Sequence, residues 1–171
     1  MNDRQKLAED TLQSVEIFNG LNPDEIQRLL SICIFQSFEE SHTIYSMDAP
    51  SDDMFILLTG RLLVRSKTRE ILGMVLPGMP TGEMGLFAGR PRSADVITDE
   101  ASTGLLIRRS DLVPILQKDL QLHNRLLQNI VELLCKRIMD ANWYIDTYAL
   151  VVHEIQDEIE TTLGRVKKDA S

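Results

Sequence analysis

The chain has only two cysteines in 171 residues, Cys33 and Cys135. That excludes a disulfide framework, and their separation fits no zinc-ligand spacing. Both lie in apolar helical patterns, Ser31-Ile32-Cys33-Ile34 and Leu133-Leu134-Cys135, so two buried or half-buried thiols are expected. Histidine is as scarce, with only His42, His123 and His153. His42 falls among strand-like segments and the other two in a helical tail. A histidine-built metal site, and with it an enzyme of that kind, is not expected, and no cofactor is called for. Positive charge is short as well: 18 Lys plus Arg stand against 26 Asp plus Glu, a formal net charge of −8. Such a chain has no broad electrostatic footprint for a polyanion. Direct DNA binding and an anionic membrane surface are therefore not expected, and a bound anion must be small and held locally. No run approaches the roughly 18 apolar residues of a membrane span. Met1 to Glu16 is punctuated by charges and does not read as a signal peptide. The expected compartment is the cytoplasm.

What is present is ordinary globular material, 43% hydrophobic and 26% charged, enough for a real core. Glycine and proline divide it sharply. Eight of nine glycines lie between Gly20 and Gly104, all six prolines lie between Pro23 and Pro114, and the last 57 residues hold only Gly164. A strand-rich middle followed by long helix is implied. Before the middle, Asn22-Pro23-Asp24-Glu25 reads as a helix start: a capping Asn, Pro at the first helical position, and Glu three residues after the cap. Strand-like segments then run over Ile34–Phe38, Thr43–Met47, Met54–Leu58, Arg61–Ser66, Arg69–Leu76, Ala94–Thr98 and Thr103–Arg108. Turn chemistry such as Thr59-Gly60 and Leu76-Pro77-Gly78 separates them. Short strands at this spacing predict a small barrel or double-sheet roll. Ser110-Asp111 is expected to cap a further helix, with Pro114 in its first turn.

The tail carries the clearest periodicity. Leu127, Val131, Leu134, Ile138, Ala141, Ile145, Tyr148, Val152, Ile155, Ile159, Thr162 and Val166 alternate in steps of four and three. That is a coiled-coil seam with one polar exception, Thr162. A helix this long, at about 1.5 Å per residue, outruns a small domain and cannot bury its stripe there. A homodimer through this helix is expected. The alternative is a helix folded back on itself or on the roll.

The densest chemical signal is Gly82-Glu83-Met84-Gly85-Leu86-Phe87-Ala88-Gly89-Arg90-Pro91-Arg92-Ser93-Ala94. Its first half can form a single helical turn, whose free N–H groups attract an anion. Arg92 lies ten residues beyond Gly82, near a strand start, and its planar fork suits a pair of phosphate oxygens. Ser93 adds a hydroxyl donor. Glu83 is the oddity, because a carboxylate repels phosphate. It makes sense if the ligand also carries a hydroxyl, and phosphate beside hydroxyl describes a nucleotide. An Arg–Glu ion pair bracing a surface loop explains the same residues equally well.

Gly82-Glu83, Leu86-Phe87 and Gly89-Arg90-Pro91-Arg92-Ser93-Ala94 resemble the phosphate-binding cassette of cyclic nucleotide-binding domains, the family that includes the sensor domain of the catabolite activator protein. Ile17-Phe18-Asn19-Gly20-Leu21 is similar to the family's N-terminal helical segment. Asp52-Asp53-Met54-Phe55-Ile56-Leu57-Leu58-Thr59-Gly60-Arg61-Leu62-Leu63-Val64 resembles its central hairpin. The resemblance implies that Arg92 grips the cyclic phosphate, with Ser93 and the backbone at Gly82 assisting. It implies that Glu83 accepts from the ribose 2′-hydroxyl and places Met84 in the same cassette. It further implies that Asn142, on the long helix, meets the purine edge. The chain departs from the family in having Ser41 where Gly is usual and Thr81 where Phe is usual. Regulators of this type continue into a helix-turn-helix, whereas this sequence stops soon after the long helix.

The expected architecture is α+β: an antiparallel double-sheet β-roll with flanking helices over residues 1–118 and a long coiled-coil dimerisation helix over 119–171. The expected function is that of a dimeric, non-enzymatic sensor for a cyclic nucleotide, cyclic AMP ahead of cyclic GMP, signalling to a downstream protein. The alternative is a degenerate, ligand-free roll that serves as a structural dimerisation module.

Overall fold

The structure, a computed structural model, describes residues 3–169, with side chains over 6–162. Helix α1 (Asp3–Ser14) and a 3-10 turn (Glu16–Phe18) lead to α2 (Pro23–Leu30). The start of α2 follows the sequence signal. Asn22 Oδ1 accepts from the Glu25 N–H at 2.9 Å, and Glu25 Oε2 accepts from the Asn22 N–H at 2.7 Å. This reciprocal pair satisfies two donors that a helix start otherwise leaves without partners. Ile26 and Leu29 then fall on the buried face.

Eight strands follow: β1 (Ile34–Phe38), β2 (Thr43–Tyr45), β3 (Asp53–Thr59), β4 (Leu62–Arg65), β5 (Ile71–Val75), β6 (Pro80–Thr81), β7 (Asp95–Thr98) and β8 (Ser102–Arg108). They form two four-stranded antiparallel sheets, ordered β1-β8-β3-β6 and β2-β7-β4-β5. The fold is therefore the expected α+β double-sheet roll. Between the sheets lies a core of Tyr45, Phe55, Leu57, Leu62, Val75 and Val96. Strand β3 buries every residue from Met54 to Leu58. Alternate residues face the opposite sheet, while α1 and α3 (Glu83–Ala88) pack onto β3. An unbroken apolar run is what a strand covered on both faces requires. Ser41 adopts the left-handed φ of +64°. A Cβ is disfavoured in this conformation, so it is one that glycine adopts more readily.

Helix α4 (Arg109–Lys118) differs from expectation at its start. Arg108 occupies the cap position without a side-chain cap, and Ser110 Oγ bonds its neighbour Asp111 instead. The chain then breaks at Asp119 before α5 (Leu120–Asp169). Asp119 Oδ1 accepts from the Leu122 N–H at 3.0 Å and Oδ2 from Arg28 at 2.8 Å. The backbone bond to Leu122, then Arg28, holds this carboxyl below its usual range. An Asp can thus restart a helix where no glycine or proline breaks one.

The chain divides into two units, Met1–Ile130 and Val131–Ser171. In the first, Leu122, Leu126 and Ile130 of α5 are buried. Asn129 Nδ2 donates to the carbonyls of Ile17 and Asn19, and Arg125 pairs with Glu25 at 3.0 Å. The described residues of the second unit are helix. Val131, Ile138, Ile145, Tyr148, Val152, Ile155 and Ile159 of the apolar repeat are exposed on it. The side chain of Val166, the last position of the repeat, lies outside the described residues. No helix among the described residues is long and apolar enough to cross a membrane.

The two thiols differ more than the sequence suggests. Cys33 is half-buried as expected, and burial pushes its thiol up to about 12. Cys135 is exposed in the single chain, which corrects the expectation of a buried or half-buried group. The thiolate is the nucleophile, so a maleimide at pH 8 is expected to label Cys135 and spare Cys33 in the native protein. Mass spectrometry of the labelled peptides checks this; equal labelling of both would contradict it.

Candidate ligand site

Strand β6 lies beside β3, with Thr81 opposite Phe55 and Pro80 opposite Ile56. Thr81 is buried there. The chain then turns at Gly82, whose φ is +84°. A Cβ at this position would also collide with Arg92 Nη1, so both the backbone conformation and the close approach require glycine. The short helix α3 follows and ends at Gly89. At Gly85 the helix meets Ser51 so closely that a Cβ would overlap Ser51 Oγ, which is buried without a hydrogen-bond partner.

Arg92 is held at both ends. Its N–H donates to the Ala49 carbonyl at 3.0 Å, and its carbonyl accepts from the Asp48 N–H at 2.9 Å. The residue is only 7% exposed. Nη1 donates to the Asp53 carbonyl at 2.9 Å and to the Gly82 carbonyl at 3.3 Å. Nη2 donates to Asp53 Oδ1 at 2.7 Å. The guanidinium carbon lies 3.4 Å from the centroid of the Tyr45 ring, close enough for a cation–π contact. The Tyr45 hydroxyl donates to the same Asp53 Oδ1 at 2.6 Å. Burial first, then the hydrogen bond and charge of Asp53, raise the Tyr45 phenol above its usual range and keep it a proton donor.

Arg92 therefore folds back over Gly82, as its spacing suggests. Glu83, next in the chain, is 1% exposed, and Met84 and Ser93 are exposed beside these buried residues. Asn142 is exposed on α5, within the second unit. Sequence reasoning missed Tyr45 and Asp53. A signal existed for Asp53: an acidic residue directly before the apolar run Met54–Leu58 opens a buried strand, and such a charge needs a cation. Chemically, the cluster offers a rigid cationic fork suited to two anionic oxygens, beside a buried carboxylate. Among the described residues, no group of three or more His, Cys, Asp or Glu could hold a metal ion.

Residues 35–119 match the family model of the cyclic nucleotide-binding domain. The chain is 29% identical over 130 residues to Glutaminase 1 of Bradyrhizobium diazoefficiens, which covers 76% of this chain and 21% of that protein. It thus spans about a fifth of the length of this curated relative. A cyclic nucleotide-binding domain from Methylobacillus flagellatus superimposes with a TM-score of 0.70 at 20% identity, over 80% of this chain and 79% of that one. The catabolite activator protein of Thermus thermophilus superimposes with a TM-score of 0.66 at 22% identity, over 78% of this chain and 63% of that one. At these identities the two structures speak for the fold. The matched span takes in the double-sheet roll and the turn from Gly82 to Arg92, and residues 35–119 of this chain belong to the cyclic nucleotide-binding domain family.

Proposed function

We propose that the protein is a receptor for a cyclic nucleotide, cyclic AMP ahead of cyclic GMP, and not an enzyme. The observation that carries this is Arg92, a buried guanidinium folded onto the glycine turn that opens α3. Its fork would take the cyclic phosphate, with Ser93 adding a hydroxyl donor. The buried Glu83 would accept from the ribose 2′-hydroxyl. Asn142 is the candidate for the purine edge. The protein would act as a parallel homodimer joined along α5, because that helix exposes a stripe of large apolar side chains. A partner protein would read the bound state.

Ligand binding to the folded state alone adds RT ln(1 + [L]/Kd), about 2.7 kcal/mol at one hundred times Kd. For a chain of this size that raises the melting temperature by about 5–10 °C. The expected result is such a rise with cyclic AMP and a smaller one with cyclic GMP, followed by differential scanning fluorimetry. A second reading is the degenerate roll that keeps only a structural role, favoured by the ion pair that already occupies Arg92 and by Thr81. No rise with either nucleotide at millimolar concentration, for wild type and for an Asp53→Asn variant freed of that ion pair, would select it.

A further inference from the structure

Arg92 already has an anion. Asp53 presents a carboxylate oxygen to Nη2 and its main-chain carbonyl to Nη1. That oxygen is held from a second side by the Tyr45 hydroxyl, whose ring also lies under the guanidinium. The Arg92 side chain is 6% exposed and that of Asp53 is 23% exposed, so the carboxylate sits on the watered side of the pair. Carboxylate and phosphate compete for a guanidinium, since each offers anionic oxygens that accept from its planar fork of N–H donors.

We propose that Asp53 is a resident counter-ion that a ligand's phosphate must displace from Arg92, with Tyr45 as the latch that holds Asp53 in place. The proposal deepens the cyclic nucleotide reading and rests on it. Asp53 neutralises the cation while the site is free of ligand, which keeps a buried charge from standing alone. The same contact lowers affinity, because a phosphate gains Arg92 only as Asp53 gives it up. Asp53 thereby sets the ligand concentration at which the protein responds. Ordinary small anions meet the same barrier, and a nucleotide overcomes it through the further contacts of its sugar and base.

The test is isothermal calorimetry of the full chain with cyclic AMP. Asp53→Asn keeps the shape and removes the charge, and it is expected to bind about ten- to a hundredfold more tightly than wild type. Tyr45→Phe keeps the ring under Arg92 and removes only the latch, and a gain of about threefold is expected. In an Arg92→Leu background, Asp53→Asn is expected to change affinity by less than twofold, because the competition no longer exists. Binding by Asp53→Asn where wild type shows none would support the proposal in its strongest form. Wild-type binding with equal or weaker binding by Asp53→Asn would overturn it while leaving the cyclic nucleotide reading intact. Folded proteins, judged by melting curves, of which neither wild type nor Asp53→Asn binds would overturn that reading and the proposal together. If Asp53→Asn does not fold, Tyr45→Phe decides: tighter binding supports the latch, and unchanged or weaker binding overturns it.

Discussion

Arg92→Leu is expected to weaken cyclic nucleotide binding by roughly ten- to several-hundred-fold. A charged hydrogen bond contributes about 1.5–3 kcal/mol, and a bidentate pair shielded from water contributes more. Each 1.4 kcal/mol is a factor of about ten in affinity. Removing Arg92 also leaves Asp53 without its cation. Asp53 keeps 23% of its side chain in water and retains the Tyr45 hydroxyl, so the cost to the fold is about 1–3 kcal/mol, below that of a fully buried broken pair. A melting curve separates this loss from the loss of binding. Arg90, exposed on the same turn, is the control, and Arg90→Leu is expected to change affinity only slightly. Glu83→Gln keeps an oxygen that can accept from a ribose hydroxyl, so it costs less than Arg92→Leu. With a 2′-deoxy ligand it costs little, since there is no hydroxyl to lose. Calorimetry on the three variants with both ligands decides the assignment. Equal losses at Arg90 and Arg92 would place the phosphate elsewhere.

The double substitution Ile145→Asp with Val152→Asp is expected to convert a dimer into a monomer. Both residues are more than half exposed on the single chain and lie one heptad apart on the apolar repeat. In a parallel pair of α5 helices they face their counterparts, and each new carboxylate would be buried without a partner at a cost of several kcal/mol. The same substitutions on a helix that stays alone in water would change little, because an exposed charge is solvated. Light scattering at micromolar concentration distinguishes the two cases. A wild-type protein that is already monomeric would remove the coiled-coil reading, and a variant that remains dimeric would move the interface off this stripe.

Much of the roll was legible in the amino-acid order. The capping box at Asn22 and Glu25 formed as written, and seven predicted strand segments overlap observed strands. Strand β6 was not legible. It has two residues, one of them Pro80, so it carries neither an alternating pattern nor a full set of backbone donors. It exists because β3 is there to pair with it. The break at Asp119 was also hidden, since a continuous helical pattern on both sides masks a restart that depends on one carboxylate finding the Leu122 N–H.

The sequence by itself determined the cap that starts α2, seven of the strand segments, which glycines make the turn at residues 82–89, and that Arg92 comes back toward Gly82. These follow from caps, turn conformations and apolar periods, which act over a few residues and are written in neighbouring side chains. Only the tertiary structure decided which anion Arg92 meets. Asp53 is 39 residues away in the chain, and the rival carboxylate Glu83 is far closer in sequence. The choice depends on β3 being laid beside β6, which puts Asp53 beside the guanidinium, and on Tyr45 bridging to it from the other sheet. An ion pair forms between groups that packing brings within a few ångströms, and sequence spacing carries no record of that distance.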